Sequence, residues 1–142
     1  MLIGCPSCAA LNRVPRERAA DGPVCGKCKR PLLEGAPVAV TSATFAAAVE
    51  RTELPVVVDF WADWCAPCHA MAPAFERAAA SLRGRVRFAK LDTEEAPAIA
   101  SRYGIRSIPT MIVFREGREA ARISGAMDAR SIEDWVTQAA GR

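Results

Sequence analysis

The sequence has no apolar run long enough to span a bilayer, no internal repeat and no low-complexity tract. No basic segment followed by an apolar core stands at its start, so we expect no secretory signal peptide and place the protein in the cytoplasm. Cysteines in that compartment stay reduced unless they are catalytic or bound to metal. The hydrophobic content, 51%, is that of a folded globular chain, and the formal net charge of +3 indicates little about partners.

What the sequence does have is six cysteines, and all of them fall into C-x-x-C pairs. Random placement of six cysteines in 142 positions would give about 0.2 such pairs, so the spacing reflects chemistry rather than composition. Two pairs lie in the first 35 residues, and the third follows an apolar run near the middle of the chain.

The segment 1–35 is rich in proline, glycine and charge, and it lacks the apolar pattern of a core of its own. A segment of this size needs a metal or a disulfide to fold. Sixteen residues separate its two pairs, a spacing typical of four-thiolate zinc sites. We therefore predict a zinc ribbon with one structural Zn²⁺ bound by Cys5, Cys8, Cys25 and Cys28. Free or disulfide-forming thiols are the alternative, which the reducing compartment disfavours.

The surplus of positive charge lies in the same segment. Up to Glu34 there are six Lys or Arg against three Asp or Glu, and the remainder of the chain has thirteen of each. One zinc ion with four thiolates carries two net negative charges, which nearby cations would partly neutralise. These cations are Arg13, Arg16, Arg18, Lys27, Lys29 and Arg30. The segment has no aromatic residue for base stacking, so we expect no nucleic-acid partner.

From residue 36 onward, strand-like and helix-like patterns alternate. The β-branched run at 55–62 predicts a strand buried on both faces. A helix over 66–84 should follow, with Pro67 near its start, Pro73 inside it and Gly84 at its end. Further strands are predicted at 36–41, 86–93, 110–117 and 118–125. Further helices are predicted at 42–51 and 96–104, with a last one begun near Asp128 or Ser131. This order predicts an α/β domain over 36–142, with a central mixed sheet and helices on both faces.

The pair formed by Cys65 and Cys68 fits three chemistries: a redox dithiol, half of a metal site, or, because His69 follows, covalent haem attachment. Haem attachment would require export. A metal site here would lack two ligands, because His69 is the only histidine. The dithiol suits the context, since a strand ends and a helix begins at Cys65, and the helix N-terminus should lower its pKa toward about 7. Cys68, one turn further, is expected to be more buried.

At these residues the sequence resembles the thioredoxin family. Trp64-Cys65-Ala66-Pro67-Cys68 stands where that family has W-C-G-P-C. The resemblance covers roughly 36–142, and the two N-terminal pairs add a resemblance to the zinc-containing thioredoxin-2 subgroup. Other positions match the family's second tryptophan, buried acid, nearby lysine, helix-kinking proline, cis-proline loop and groove glycine. In the same order, these positions are Trp61, Asp59, Lys90, Pro73, Ile108-Pro109-Thr110 and Gly125.

The resemblance implies a thioredoxin fold and a protein-disulfide reductase. Cys65 would attack a substrate disulfide, and Cys68 would resolve the mixed disulfide. Asp59, on an apolar strand, should have a raised pKa and accept the proton of Cys68, although it could also be an ordinary buried acid paired with Lys90. The implied substrate-binding residues, with Trp64 covering the site, are Trp61, Trp64, Ala66, Pro67, Ile108, Pro109 and Gly125.

The resemblance also implies partners: oxidised proteins and an NADPH-dependent thioredoxin reductase. We expect a monomer with no membrane partner.

Two positions depart from the family. Ala66 replaces glycine, which should shift the reduction potential by about 20 mV or less. His69 stands where lysine is frequent, and we expect it to be a solvated helix residue. The alternatives are an oxidase or isomerase, or a binding, holdase-like or redox-sensing module.

Overall fold

The computed structural model describes residues 1–141. The strands are β1 (Leu2–Gly4), β2 (Leu11–Arg13), β3 (Val38–Val40), β4 (Val56–Trp61), β5 (Arg87–Asp92), β6 (Thr110–Arg115) and β7 (Arg118–Ser124). The helices are α1 (Ala66–Ser81), α2 (Pro97–Arg102) and α3 (Ala129–Ala140), with a 3₁₀ turn at Arg16–Arg18 and a short π-helix at Ala46–Glu50. The predicted second domain ends at Arg142, which lies outside the described residues.

The central sheet has five strands in the order β3-β5-β4-β6-β7. Strands β3, β5 and β4 run parallel, whereas β6 is antiparallel to β4 and β7 is antiparallel to β6. Strand β4 is the middle strand and both of its faces are covered, which is why five of its six residues are apolar. The prediction of a mixed sheet is confirmed.

Each face of the sheet carries its own apolar core. Along β4, successive side chains point to opposite faces, so Val58 and Phe60 join the core beside the π-helix and α2, whereas Val57 joins the core beneath α1 and α3. Helix α1 supplies Met71 and Phe75 to the second core at a spacing of four residues. Helices therefore lie on both faces, as predicted. Among residues 1–141, no helix is long and apolar enough to cross a membrane.

The helix predicted over 42–51 is shorter than expected. Thr41 caps the turn that precedes it, since its hydroxyl accepts from the N–H of Thr44 at 3.3 Å. The helical part is a five-residue π-helix closed by a bond from Arg51 N–H to Ala46 O. The carbonyl of Ala47 instead accepts from the Thr52 hydroxyl at 2.9 Å, because this element packs against the N-terminal segment.

The N-terminal segment forms a small unit around a β1–β2 hairpin that sequence analysis missed. Contrary to the expectation from its composition, it has a core. Its buried members are Ile3, Cys5, Val14, Ala19, Cys25, Leu32 and Leu33, completed by Leu54 from the chain that leads into β4. The sheet domain therefore supplies part of the ribbon's core, which is why the segment's own composition looks insufficient.

The ribbon packs at the edge of the sheet where β4 and β5 begin. Leu2 O accepts from Glu53 N–H at 2.8 Å, and Leu2 N–H donates to a carboxylate oxygen of Glu53 at 2.7 Å. Strand β4 then runs away from the ribbon for six residues, about 17 Å at strand rise. Cys65 follows its far end. The four N-terminal cysteines and the pair Cys65/Cys68 thus lie at opposite edges of the sheet.

Candidate functional site

Cys65 lies where the chain leaves the carboxyl end of β4 and enters α1. It is the N-cap residue of α1, and its Sγ accepts from the backbone N–H of Cys68 at 3.2 Å. Pro67 occupies the first turn, where its missing N–H costs no helical hydrogen bond. Cys65 and Cys68 are joined by a disulfide, with Cα atoms 5.3 Å apart. In the reduced protein, this N–H and the helix dipole favour a thiolate on Cys65.

The two cysteines differ in access rather than in burial. Cys65 is 3% exposed and Cys68 is 2% exposed, so the two side chains are buried almost equally. The reason is that Cys65 is enclosed by the loop before β6, and its Sγ lies 3.7 Å from the carbonyl oxygen of Ile108. Cys65 nevertheless lines a surface groove, whereas Cys68 does not. An incoming disulfide therefore meets Cys65 first.

The groove beside Cys65 has a volume of about 500 Å³. Its lining is Trp64, Cys65, Ala66, Pro67, Thr93, Ala100, Ile105, Arg106, Ser107 and Ile108. Trp64 is 71% exposed and forms one wall. Trp64 thus lies beside Cys65 at the groove, with most of its surface exposed to solvent.

Sequence reasoning missed several groove residues. Ile105, Arg106 and Ser107 directly precede the predicted Ile108-Pro109 loop, so their position beside that motif was the available signal. Thr93 and Ala100 carry no such signal, because β5 and α2 bring them to the groove only through the topology of the sheet. Of the predicted set, Trp61, Pro109 and Gly125 are not part of the groove lining.

The bond between Ile108 and Pro109 is cis, as the resemblance implies. Gly125 lies directly after β7 and its N–H donates to Pro109 O at 2.9 Å. Gly125 has φ +100°, a conformation that favours glycine. Thr110 secures the same loop, because its hydroxyl donates to Ser107 O at 2.7 Å. Gly125 is thus connected to the site through Pro109.

Asp59 is a fully buried carboxyl on β4. Neither of its oxygens has a hydrogen-bond partner among residues 1–141. Burial raises the pKa of Asp59 from 3.8 to about 7, and the charge of Lys90 acts in the opposite direction. Asp59 lies on the same face as Val57, the face that α1 covers. It is therefore a carboxyl that can take up or release a proton near neutral pH.

Lys90 is the register partner of Asp59 on the neighbouring strand, but the two form no ion pair within 4.0 Å. The ammonium of Lys90 instead lies 4.6 Å from the centre of the Trp61 ring. The alternative in which Asp59 is neutralised by a direct pair with Lys90 is not observed. Lys90 acts on Asp59 through space, across the strand pair.

His69 is attached to the loop before α1. Its Nε2 lies 2.6 Å from the carbonyl oxygen of Asp63, and its ring packs edge-on against Trp61 with the centres 6.0 Å apart. The side chain is 54% exposed. His69 is therefore half solvated, as expected, but it also holds the Asp63 loop and the Trp61 ring.

The four N-terminal cysteines form one compact cluster. Their Sγ atoms all lie within 4.8 Å of one another, and the pairs Cys5–Cys28 and Cys8–Cys25 are 3.6 Å apart. Four sulfurs at about 2.3 Å from one zinc ion would be about 3.8 Å apart in a tetrahedron, so the cluster fits that ion. The backbone N–H of Ser7 points to Cys5 Sγ at 3.4 Å. Such donors suit thiolates rather than thiols.

The turn that begins at Cys25 repeats the N–H to sulfur contact seen at Cys5. The N–H of Lys27 points to Cys25 Sγ at 3.4 Å, as Ser7 does to Cys5. The side-chain amide of Asn12 adds a donor to Cys25 Sγ at 3.5 Å and accepts from Gly26 N–H at 2.8 Å. All four positions are taken by protein sulfurs, so a metal bound here would have a structural role.

Known proteins resemble both parts of the chain. Residues 36–138 match the family model for thioredoxin, and residues 4–30 match that for thioredoxin 2, N-terminal. Thioredoxin C-3 of Corynebacterium nephridii is 41% identical over 138 residues, which cover 97% of this chain and 94% of that protein. Thioredoxin 1 of Synechococcus elongatus is 45% identical over 98 residues, 69% of this chain and 92% of that protein.

A solved structure agrees. A mutant thioredoxin from Halobacterium salinarum NRC-1 superposes with a TM-score of 0.68 at 31% identity, covering 75% of this chain and 92% of that one. The chain belongs to the thioredoxin family. It has the thioredoxin fold, an N-terminal zinc-ribbon segment and the C-x-x-C pair of a thiol-disulfide oxidoreductase.

Proposed function

We propose that this protein reduces disulfides in other proteins, in the cytoplasm, and is itself regenerated by an NADPH-dependent thioredoxin reductase. The observation that carries the proposal is the position of Cys65. Its Sγ caps α1, accepts from the N–H of Cys68 at 3.2 Å and borders an open, mainly apolar groove. A thiolate is stabilised there, and an extended segment of a protein substrate can reach it.

The reaction follows from this placement. The Cys65 thiolate attacks one sulfur of the substrate disulfide, a Cys65–substrate bond forms, and one substrate thiolate leaves. Asp59, in its ionised form, takes the proton of the Cys68 thiol. The Cys68 thiolate then attacks Cys65 Sγ, which forms the Cys65–Cys68 disulfide and releases the second substrate thiolate. Two electrons pass from the protein to the substrate, and the oxidised pair is the state seen in the structure.

In this proposal the site residues have distinct roles. Lys90 tunes Asp59. Trp61 packs behind the site, and Gly125 positions Pro109. Trp64, Ala66, Pro67 and Ile108 line the substrate groove. The ribbon binds one structural Zn²⁺ through Cys5, Cys8, Cys25 and Cys28. We further propose that the protein acts as a monomer without a nucleic-acid partner.

The deciding experiment is the equilibrium reduction potential of the Cys65–Cys68 pair. Dithiothreitol redox buffers set the potential, and the fluorescence of Trp61 and Trp64 reports the state of this pair rather than that of the ribbon. A value near about −270 mV supports a reductant. A value near about −180 mV or above refutes the proposal in favour of an oxidase or isomerase.

A matched variant separates the reductase from a binding module. Cys65→Ser removes the attacking sulfur and should abolish reduction of insulin disulfides. A binding or holdase-like module would retain its function in that variant. For a redox-sensing ribbon, peroxide that oxidises the Cys65–Cys68 pair would also release zinc to a chromogenic chelator. We expect no such release by exchange with the oxidised pair, because the ribbon cysteines lie at the opposite edge of the sheet.

A further inference from the structure

Arg87, the first residue of β5, is a buried cation that the sequence pattern did not single out. It is 3% exposed, and its guanidinium donates to three backbone carbonyls: Gly4 at 2.8 Å, Ala48 at 2.9 Å and Leu32 at 2.8 Å. No carboxylate lies within 4.0 Å of it in the part of the chain that the structure describes. A buried cation without a counter-charge is costly, so a source of negative charge nearby is expected.

Two of these carbonyls belong to the ribbon, one on each side of its cysteine pairs. Gly4 directly precedes Cys5, and Leu32 follows Cys28 by four residues. Two different guanidinium nitrogens make these contacts: Nη1 donates to Gly4 O, whereas Nη2 donates to Leu32 O. Arg87 therefore links both halves of the ribbon to the central sheet through one rigid, planar group.

The contact at Gly4 leaves little freedom to the chain before Cys5. Gly4 N–H donates to the Thr52 hydroxyl at 2.9 Å, and that hydroxyl donates to Ala47 O. A Cβ on Gly4 would lie 1.8 Å from Ala47 O, so the backbones are in direct contact. The position of Cys5 therefore depends on Arg87 and Thr52.

A zinc–thiolate cluster would be a source of negative charge for Arg87, whose contact at Gly4 directly precedes Cys5. Four thiolates with one zinc ion carry two net negative charges. The six basic residues of the ribbon are all exposed, and exposed charges are screened by solvent and salt. Arg87 is the buried basic residue among residues 1–141. Burial lowers the pKa of Arg87 to about 10, while the charge of Cys5 acts to raise it.

We propose that Arg87 is a positioning residue for the metal site, which holds the chain on both sides of the cysteine cluster and balances the negative charge of the zinc–thiolate complex. The proposal rests on the zinc ribbon proposed above. It makes zinc binding by the ribbon and the stability of the sheet domain mutually dependent, because the same guanidinium bonds to both.

The test measures the zinc affinity of the full-length protein by competition with a chelator of known affinity. Arg87→Met removes the charge and all of its hydrogen bonds, and we expect zinc binding to weaken about 10- to 100-fold, the range for groups that support metal ligands. Arg87→Lys keeps the charge, but one nitrogen cannot reach both Gly4 and Leu32. Its loss of affinity should be smaller.

The control is Arg85→Met, two residues earlier, where an exposed arginine is removed. Its zinc affinity should equal that of the native protein. If Arg87→Met retains native affinity while its unfolding midpoint falls equally with and without zinc, Arg87 is only a structural residue of the sheet. That result overturns the proposal.

Two further measurements keep the test decisive. If Arg87→Met does not fold, the zinc affinity of Arg87→Lys is compared with that of the native protein, and this comparison decides the question. Chelation of zinc from the native protein must lower the thermal midpoint followed by tryptophan fluorescence, and an unchanged midpoint refutes the coupling. Metal analysis of the native protein separates the two proposals, since absence of zinc there would refute the zinc site itself rather than the role of Arg87.

Discussion

Replacement of Asp59 by asparagine should remove the contribution of this buried carboxyl to the pH dependence of stability. Asp59 is fully buried without a hydrogen-bond partner in residues 1–141, and its pKa is raised from 3.8 to about 7. Three units at 1.36 kcal/mol each amount to about 4 kcal/mol. That is the free energy by which the ionised carboxylate destabilises the folded protein.

The sign follows from proton binding. Between pH 3.8 and about 7 the folded protein holds a proton on Asp59 that the unfolded chain has lost. Stability therefore falls as the pH rises through this window and stays reduced above it. Between pH 5.5 and 8.5, the loss from this one group is about 2 kcal/mol. Asp59→Asn cannot ionise, so it should not show this loss.

The assay is guanidinium-induced unfolding of the oxidised protein at pH 5.5, 7 and 8.5, followed by tryptophan fluorescence. Zinc content is measured at each pH, so that metal loss is not mistaken for titration. The free energy of unfolding of Asp59→Asn minus that of the native protein should increase by about 2 kcal/mol from pH 5.5 to 8.5. Parallel profiles for the two proteins would refute the raised pKa and, with it, the assignment of Asp59 as the proton acceptor.

The remaining predictions concern neighbouring residues and the ribbon. Lys90→Met should raise the pKa of Asp59 further, because the Lys90 charge lowers it; the midpoint of the same stability profile should move to higher pH, and an unmoved midpoint would show that the two groups do not interact. His69→Lys should change the pKa of Cys65 by less than about one unit, measured by thiolate absorbance, because His69 is half exposed and bonded to Asp63; a larger shift would make His69 part of the site. Gly4→Ala should lower the thermal midpoint and cost about 1–3 kcal/mol or more, since the new methyl group would meet Ala47 O. Gly26→Ala is its control, because there a Cβ meets only the Asn12 oxygen at 3.6 Å, and equal effects in both variants would contradict the contact.

Most of the fold could be read from periodicity. The apolar run of β4 and the start of α1 at Cys65 are local patterns, and the structure places both as predicted. The start of α3 is equally local, because the Asp128 side chain accepts from Ser131 N–H at 2.8 Å and caps the helix. Predictions failed where an element depends on a distant partner. The helix predicted over 42–51 is instead a five-residue π-helix, and its Ala48 carbonyl accepts from Arg87, 39 residues further along the chain.

The candidate site shows the same division. The cysteine spacings, the proline at the helix start and the acid on an apolar strand are properties of adjacent residues, so they could be recognised without coordinates. The wall position of Trp64 and the nearly equal burial of Cys65 and Cys68 depend on how the loop before β6 lies over the helix N-terminus. The periodicity of the sequence carries no information about how that loop is placed over the helix N-terminus.

By itself, then, the sequence determined the α/β order, the two sets of cysteine pairs and the chemistry they favour, because each is encoded in neighbouring residues. Only the tertiary structure decided where the ribbon lies. It packs at the edge where β4 and β5 begin, away from Cys65, because Arg87, Thr52 and Leu54 of the sheet domain complete its hydrogen bonds and its core. Those contacts join residues about 50 to 80 positions apart, and long-range pairing of this kind appears only when the chain has folded.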